Sequence, residues 1–172
     1  MQLKYPYWYF KKALSLKFCE NIIKLGNKIK KKQASVGDKK LKIKDLKKIR
    51  SSKIAWLNEI WIYKEIQPFI KEANINAGWN FEYDFTEHCQ FTKYSKGEFY
   101  TWHCDEWAEA YNDPKDKNKF NKNRNLSVTV SLSDPKNYKG GELEFDLRNN
   151  TNGKPNLIKC KEILERGSVV VF

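Results

Sequence analysis

The chain is poor in several residue types, and each shortage removes a class of function. It has four cysteines, Cys19, Cys89, Cys104 and Cys160, and no Cys-x-x-Cys pair. Such wide spacing fits neither a disulfide framework nor a usual zinc site, so free thiols in a reducing compartment are expected. No run approaches the ~18 apolar residues of a spanning helix, which excludes a helical membrane protein. The apolar start, Tyr5 to Phe10, is cut short by Lys11 and Lys12 and does not read as a signal peptide. The cytosol is therefore the expected compartment. Arginine is scarce: Arg50, Arg124, Arg148 and Arg166 are all there is. Histidine is scarcer still, with His88 and His103 alone.

What is present is lysine, aromatics and a lopsided charge. The 172 residues carry a net charge of +12. Residues 1–53 hold 17 Lys+Arg against 3 Asp+Glu, which is +14; the remaining 16 against 18 give -2. A basic third of this kind can bind nucleic acid or another anionic surface. A solvated Lys-rich face and loop is the simpler reading and is preferred, because phosphate and base recognition favours arginine. Aromatics at 15% and hydrophobics at 40% leave enough apolar material for a core.

The pattern changes character along the chain. Leu14, Phe18, Ile22, Leu25 and Ile29 recur at three- and four-residue steps, which predicts a helix over Leu14 to Lys30 capped by Ser15. Lys31 to Lys48 reads as an exposed loop. Ile54 to Ala73 reads as a second amphipathic helix, bent near Pro68 and capped by Ser51 or Ser52. After Gly78 short strands take over: Phe81 to Thr86, Cys89 to Tyr94, Phe99 to Asp105, Leu126 to Leu132, Glu142 to Phe145, Leu157 to Leu164 and Ser168 to Phe172. Ser95-Lys96-Gly97 and Gly140-Gly141 read as turns. Helices first and strands afterwards give an α+β chain, mainly β, with helices on a sandwich or barrel. One domain is expected, with a basic helical segment over 1–78 packed on a β core over 79–172.

His103 and Asp105 carry the chemistry. Residues two apart on an extended chain project from one side, so an imidazole and a carboxylate can meet one metal ion. That is two-thirds of the facial triad that leaves positions open on Fe(II). A hydrogen-bonded structural pair is the competing reading of His-x-Asp alone. The His88-Cys89 and His103-Cys104 dipeptides offer one ligand each and fit no zinc spacing.

The surrounding blocks say more. Tyr94, Gly97, Tyr100, His103 and Asp105 are followed by Arg124 to Asp134, then Tyr138 to Phe145 with Gly140-Gly141, then Gly167 to Phe172. In this order they resemble the prolyl 4-hydroxylase-like Fe(II)/2-oxoglutarate dioxygenases, bacterial and phage-type hydroxylases above all. The likeness spans about residues 90–172. Trp56-Leu57-Asn58-Glu59 and Gly78-Trp79-Asn80-Phe81 are similar to the helical lead-in of the phage-type members. The resemblance implies a double-stranded β-helix, or jelly roll. It implies Fe(II) and 2-oxoglutarate, with ascorbate as a further candidate, and a protein side chain or small molecule as substrate, with no membrane. His103 and Asp105 would be metal ligands. Tyr94 and Thr129 would line the 2-oxoglutarate site, ordinary barrel lining being the other reading of both. His88 matches no family ligand and reads as structural. The family pattern continues beyond a strand like Gly167 to Phe172 with a second metal-binding His and then a basic residue for the far carboxylate. Neither stands in this sequence. The expectation is a fragment of a longer protein with the last barrel strands missing, inactive as it stands. A basic anion-binding module and a degenerate jelly roll without catalysis are the alternatives.

Overall fold

A computed structural model of the chain describes residues 4–34, 48–106, 109–148 and 153–172. The chain divides into two compact units, and neither is one continuous stretch. The first comprises residues 1–22, 60–83 and 125–172; the second comprises 23–59 and 84–124.

In the first unit, strand β1 (Trp8–Phe10) and strand β5 (Val128–Val130) flank strand β8 (Val169–Val171) in an antiparallel sheet. Three β-branched residues in a row suit a central strand. Val169, Val170 and Val171 are all fully buried, each withdrawal from water contributing about 2 kcal/mol. Val170 joins Cys160 and Ile163 in a cluster edged by Tyr7, Leu143, Phe145 and Phe172. Helix α2 (Ile60–Asn76) packs on β1 and β8. Its buried Ile62, Ile66, Ile70 and Ala73 recur at four- and three-residue steps, and Phe69 meets Phe10 at 5.0 Å. Strands β6 (Glu144–Asp146) and β7 (Leu157–Lys159) form a ribbon, with Phe145 stacked on Tyr7. Gly167 turns the chain into β8 at φ +83°; a Cβ there would lie 2.3 Å from the Leu14 carbonyl oxygen.

In the second unit, strand β3 (Lys53–Leu57) runs between strand β2 (Lys32–Gln33) and strand β4 (Cys89–Lys93), again antiparallel. Helix α1 (Leu16–Lys28) starts in the first unit and ends in the second. As expected, Ser15 caps it: the Ser15 hydroxyl accepts from the Phe18 N–H at 3.1 Å. Gly26 lets the Phe91 ring of β4 lie against this helix; a Cβ would sit 2.4 Å from that ring.

The expectation of two helices and antiparallel strands, mainly β, holds. Val128–Val130 and Val169–Val171 lie inside the expected strands, and the turns at Gly97, Gly140 and Gly141 have the positive φ that favours glycine. Several boundaries differ. Ile54 to Leu57 belongs to β3, not to a helix, because Ile54, Ala55 and Leu57 are buried between two partner strands while Trp56 faces out. The helix begins only at Ile60, so Ser51 and Ser52 do not cap it; Ser52 is buried and accepts from Arg50. Among the described residues Phe81 to Thr86 pairs with no strand. The segment's first residue is held by a side chain instead, the buried Asn74 amide accepting from Phe81 N–H and donating to Phe81 C=O. Phe99 to Asp105 pairs only around Tyr100, through Arg50 and its neighbours. Leu157 to Leu164 ends in a 3-10 turn at Lys161–Leu164. Within the expected loop Lys31 to Lys48, Lys32–Gln33 is β2, and residues 35–47 lie outside the described residues. Strand β1 was not foreseen: with three aromatics at Trp8–Phe10 it reads by composition as an apolar start, and only β8 makes it a strand.

Candidate metal centre

His103 and Asp105 lie just past the last backbone pairing of their segment. Thr101 N–H donates to Ile49 C=O and Ser51 N–H to Phe99 C=O, and beyond that point side chains hold the chain. Although the segment is not a regular strand here, the two side chains meet as expected. His103 Nε2 is 3.2 Å from Asp105 Oδ1. Two donors ~2.1 Å from one ion and at right angles to it would stand about 3 Å apart, so the pair fits a shared divalent ion. Their side chains are 33% and 38% exposed, open to an ion from solution.

The other ring nitrogen decides the chemistry. His103 Nδ1 is 2.7 Å from the Thr101 carbonyl oxygen. A carbonyl oxygen only accepts, so Nδ1 carries the proton and donates it there. Nε2 then presents either a lone pair or a second proton to a carboxylate. A lone pair facing a carboxylate is repulsive, so a proton or a cation belongs between them. Without a metal a proton is favoured there: the Asp105 carboxylate pushes the imidazole pKa up, the Thr101 carbonyl adds to the rise, and burial and Arg50 oppose it. An imidazole fixed through Nδ1 by a carbonyl is the usual outer support of a metal-binding histidine.

Three further residues fix the pair. The Tyr100 ring stacks on His103 with centroids 3.6 Å apart and planes 16° apart. The Arg50 guanidinium lies 4.3 Å from the Tyr100 centroid. Both cannot occupy one face at these distances, so Tyr100 is sandwiched between cation and imidazole. Arg50 is buried, and neutral acceptors hold it: Ser52 Oγ at 2.9 Å, Gln90 Oε1, and Thr92 Oγ1 at 3.5 Å. Burial pushes the Tyr100 hydroxyl up, Arg50 opposes, and Asp105 and Tyr94 add to the rise. Arg124 clamps Asp105 from the other side. Its Nε and Nη2 donate to Glu87 at 3.0 and 2.7 Å, and Nη1 donates to the Asp105 carbonyl at 3.3 Å.

The remaining expected residues fare differently. Tyr94 follows β4 in the same unit, 48% exposed. Thr129 sits half-buried in β5 of the first unit. His88 lines a separate depression with Trp56, Phe85, Glu87 and Asp116. Among the described residues no third His, Cys, Asp or Glu joins His103 and Asp105 in a metal-holding group. All four cysteines are free. Arg50 and Glu87 were missed by sequence reasoning. The only available signal for Arg50 was that it is the lone arginine among the lysines of residues 1–53.

Comparisons with known proteins bear on the family and the fold. Residues 89–172 match the family model of the 2OG-Fe(II) oxygenase superfamily. The fold is similar to a crystal structure of a Pseudomonas putida prolyl-4-hydroxylase, with a TM-score of 0.64 at 17% identity, covering 98% of this chain and 81% of that one. No curated protein matches the chain in sequence. The resemblance to prolyl 4-hydroxylase-like 2OG-Fe(II) oxygenases is thereby borne out.

Proposed function

We propose, for a chain whose residues 89–172 match the family model of the 2OG-Fe(II) oxygenase superfamily, that His103 and Asp105 hold Fe(II) and that the protein hydroxylates a carbon of a protein side chain or small molecule. The observation that carries the reading is the pair itself: Nε2 and Oδ1 are 3.2 Å apart, with Nδ1 committed to the Thr101 carbonyl. Bound Fe(II) with 2-oxoglutarate supplies the oxygen chemistry that breaks an unactivated C–H bond. The protein's part is orientation. Thr101 fixes the tautomer of His103, Tyr100 and Arg50 fix its ring plane, and Arg124 with Glu87 fixes the backbone that carries Asp105. In this reading the strands of residues 79–172 belong to a jelly roll, with residues 1–78 packed on it, and Tyr94 and Thr129 line the 2-oxoglutarate site.

Among the described residues the pair supplies two donors, and two donors alone bind a divalent ion weakly. With these two donors alone, little consumption of 2-oxoglutarate with Fe(II) is expected. Imidazole added in solution, as a substitute third donor, should raise that consumption, and His103→Ala or Asp105→Asn should remove the gain. Strong consumption that survives His103→Ala would move the metal elsewhere, with His88 the first residue to replace. A second reading, a jelly roll without catalysis, draws on the two-donor set; it requires that no added donor produces consumption.

A further inference from the structure

Five lysines from three separated stretches of sequence converge on one concavity of the second unit. Lys28 closes α1, Lys30 and Lys31 follow it, Lys53 opens β3 and Lys93 closes β4; together with Asn27 they line a space of about 510 Å³. Among the described residues none of the five pairs with a carboxylate. The only partner of this kind is a ring, Lys31 Nζ lying 5.8 Å from the Phe91 centroid. Lys28 has a structural reason to be there, since a cation at a helix C-terminus complements the dipole. Among the described residues Lys30, Lys53 and Lys93 have neither a helix end nor a ring to account for them.

One pair is positively unfavourable. Lys53 and Lys93 are register partners directly across β3 and β4. Like charges opposite each other destabilise a ladder. A sequence that holds such a pair, with three more lysines round the same hollow and no acid to offset them, has local order working against stability. That conflict marks places kept for binding.

We propose that this concavity binds the phosphate backbone of a nucleic acid, without base selectivity. Its chemistry is that of point cations. No arginine fork lines it, and the bidentate base contacts that read sequence need one. A protein partner fits poorly, because lysine is depleted from the cores of protein interfaces and Ile29 is the single apolar side chain among the lysines, Asn27 and Ser95 that line the hollow. The basic first third of the sequence, preferred above as a solvated face, thus acquires a focus that only the pairing of β3 with β4 creates.

The test is fluorescence anisotropy of the full chain with a labelled 20-residue thymidylate oligonucleotide over a range of salt. Binding should weaken steeply with salt. The double variant Lys53→Gln with Lys93→Gln should bind several-fold more weakly, and its log–log salt slope should be shallower by about 1.4, at roughly 0.7 per single-strand phosphate contact. The same variant should melt no lower than the parent, because it removes a repulsion. Lys30→Gln with Lys31→Gln, off the strands, should reproduce the binding loss. An absence of binding at low salt would overturn the proposal, as would an unchanged slope in both variants. Equal displacement by poly-glutamate of the same charge would overturn it in favour of an acidic protein partner.

Discussion

Strand β8 and the His103 segment are built in opposite ways. Val169–Val171 is held on both sides by ladders to β1 and β5, and every side chain is fully buried. The segment from Thr101 to Asp105 leaves its last ladder bond at Thr101 and is fixed by directed contacts: the Thr101 carbonyl and the Tyr100 ring on His103, and Arg124, itself held by Glu87, on the Asp105 carbonyl. The first is specified by area removed from water, which is non-directional and tolerant of similar shapes. The second is specified by directed contacts on groups that stay a third exposed. Damage to the first should appear as lost stability, and damage to the second as lost metal affinity with the fold intact.

The sharpest way to break the first region is Gly167→Ala. The new Cβ would meet the Leu14 carbonyl at a φ that side chains rarely adopt, and the cost should be about 3 kcal/mol or more. A thermal scan should show the midpoint falling by roughly 6–12 °C. In the second unit, Gly26→Ala drives a methyl into the Phe91 ring and should cost about 1–3 kcal/mol by denaturant titration.

Arg124→Ala should separate the two kinds of region. It removes a partly exposed ion pair with Glu87, so stability should change by less than about 1 kcal/mol. Metal affinity should nonetheless fall about 10–100-fold, as for other outer supports of a metal ligand. Equilibrium dialysis with Mn(II) reads the second effect, and unfolding curves read the first.

The pH dependence sharpens the contrast further. The folded pKa of His103 is raised by Asp105, so the stability of the metal-free pair is fully present below the unfolded value near 6.5 and is lost as pH rises through the folded value. Metal binding runs the other way, since a proton and the ion compete for Nε2. Below the folded value Mn(II) affinity should fall about tenfold per pH unit.

The smallest effect belongs to Tyr7, beside the β8 cluster. Burial, then Cys160 and Glu162, pushes its hydroxyl up to about 12. Its contribution to stability is present below pH 10 and is lost as pH rises from 10 towards 12. Burial raises Tyr83 and Tyr100 as well, so ultraviolet titration should show a late-ionising group of tyrosines, and Tyr7→Phe should remove one tyrosine's share of that late phase.

The same division explains what the sequence made legible. The repeat that holds Ile66 and Ile70 and the continuous apolar run at Val169–Val171 could be read directly, both being buried in the structure. The motif block around His103 and Asp105 could be read too, because spacing of two suffices to bring the pair together. Ile54 to Leu57 could not: a short run buried between two strands has no period that separates it from a helix end. Phe81 to Thr86 alternates like a strand, yet its first residue is held by the Asn74 side chain, which no alternation reveals. The sandwich of Arg50, Tyr100 and His103 depends on a pairing between residues 50 and 100, and no local pattern encodes it.

The central claim is that His103 and Asp105 together hold the metal that 2-oxoglutarate then joins. Titrating Mn(II) into the protein by calorimetry, with and without 2-oxoglutarate, tests it directly. The wild-type chain should bind Mn(II) weakly, and 2-oxoglutarate should tighten that binding by about tenfold or more, as reciprocal coupling requires. His103→Ala should lose both the binding and the coupling while unfolding at the wild-type midpoint. Wild-type Mn(II) affinity in His103→Ala would contradict the account.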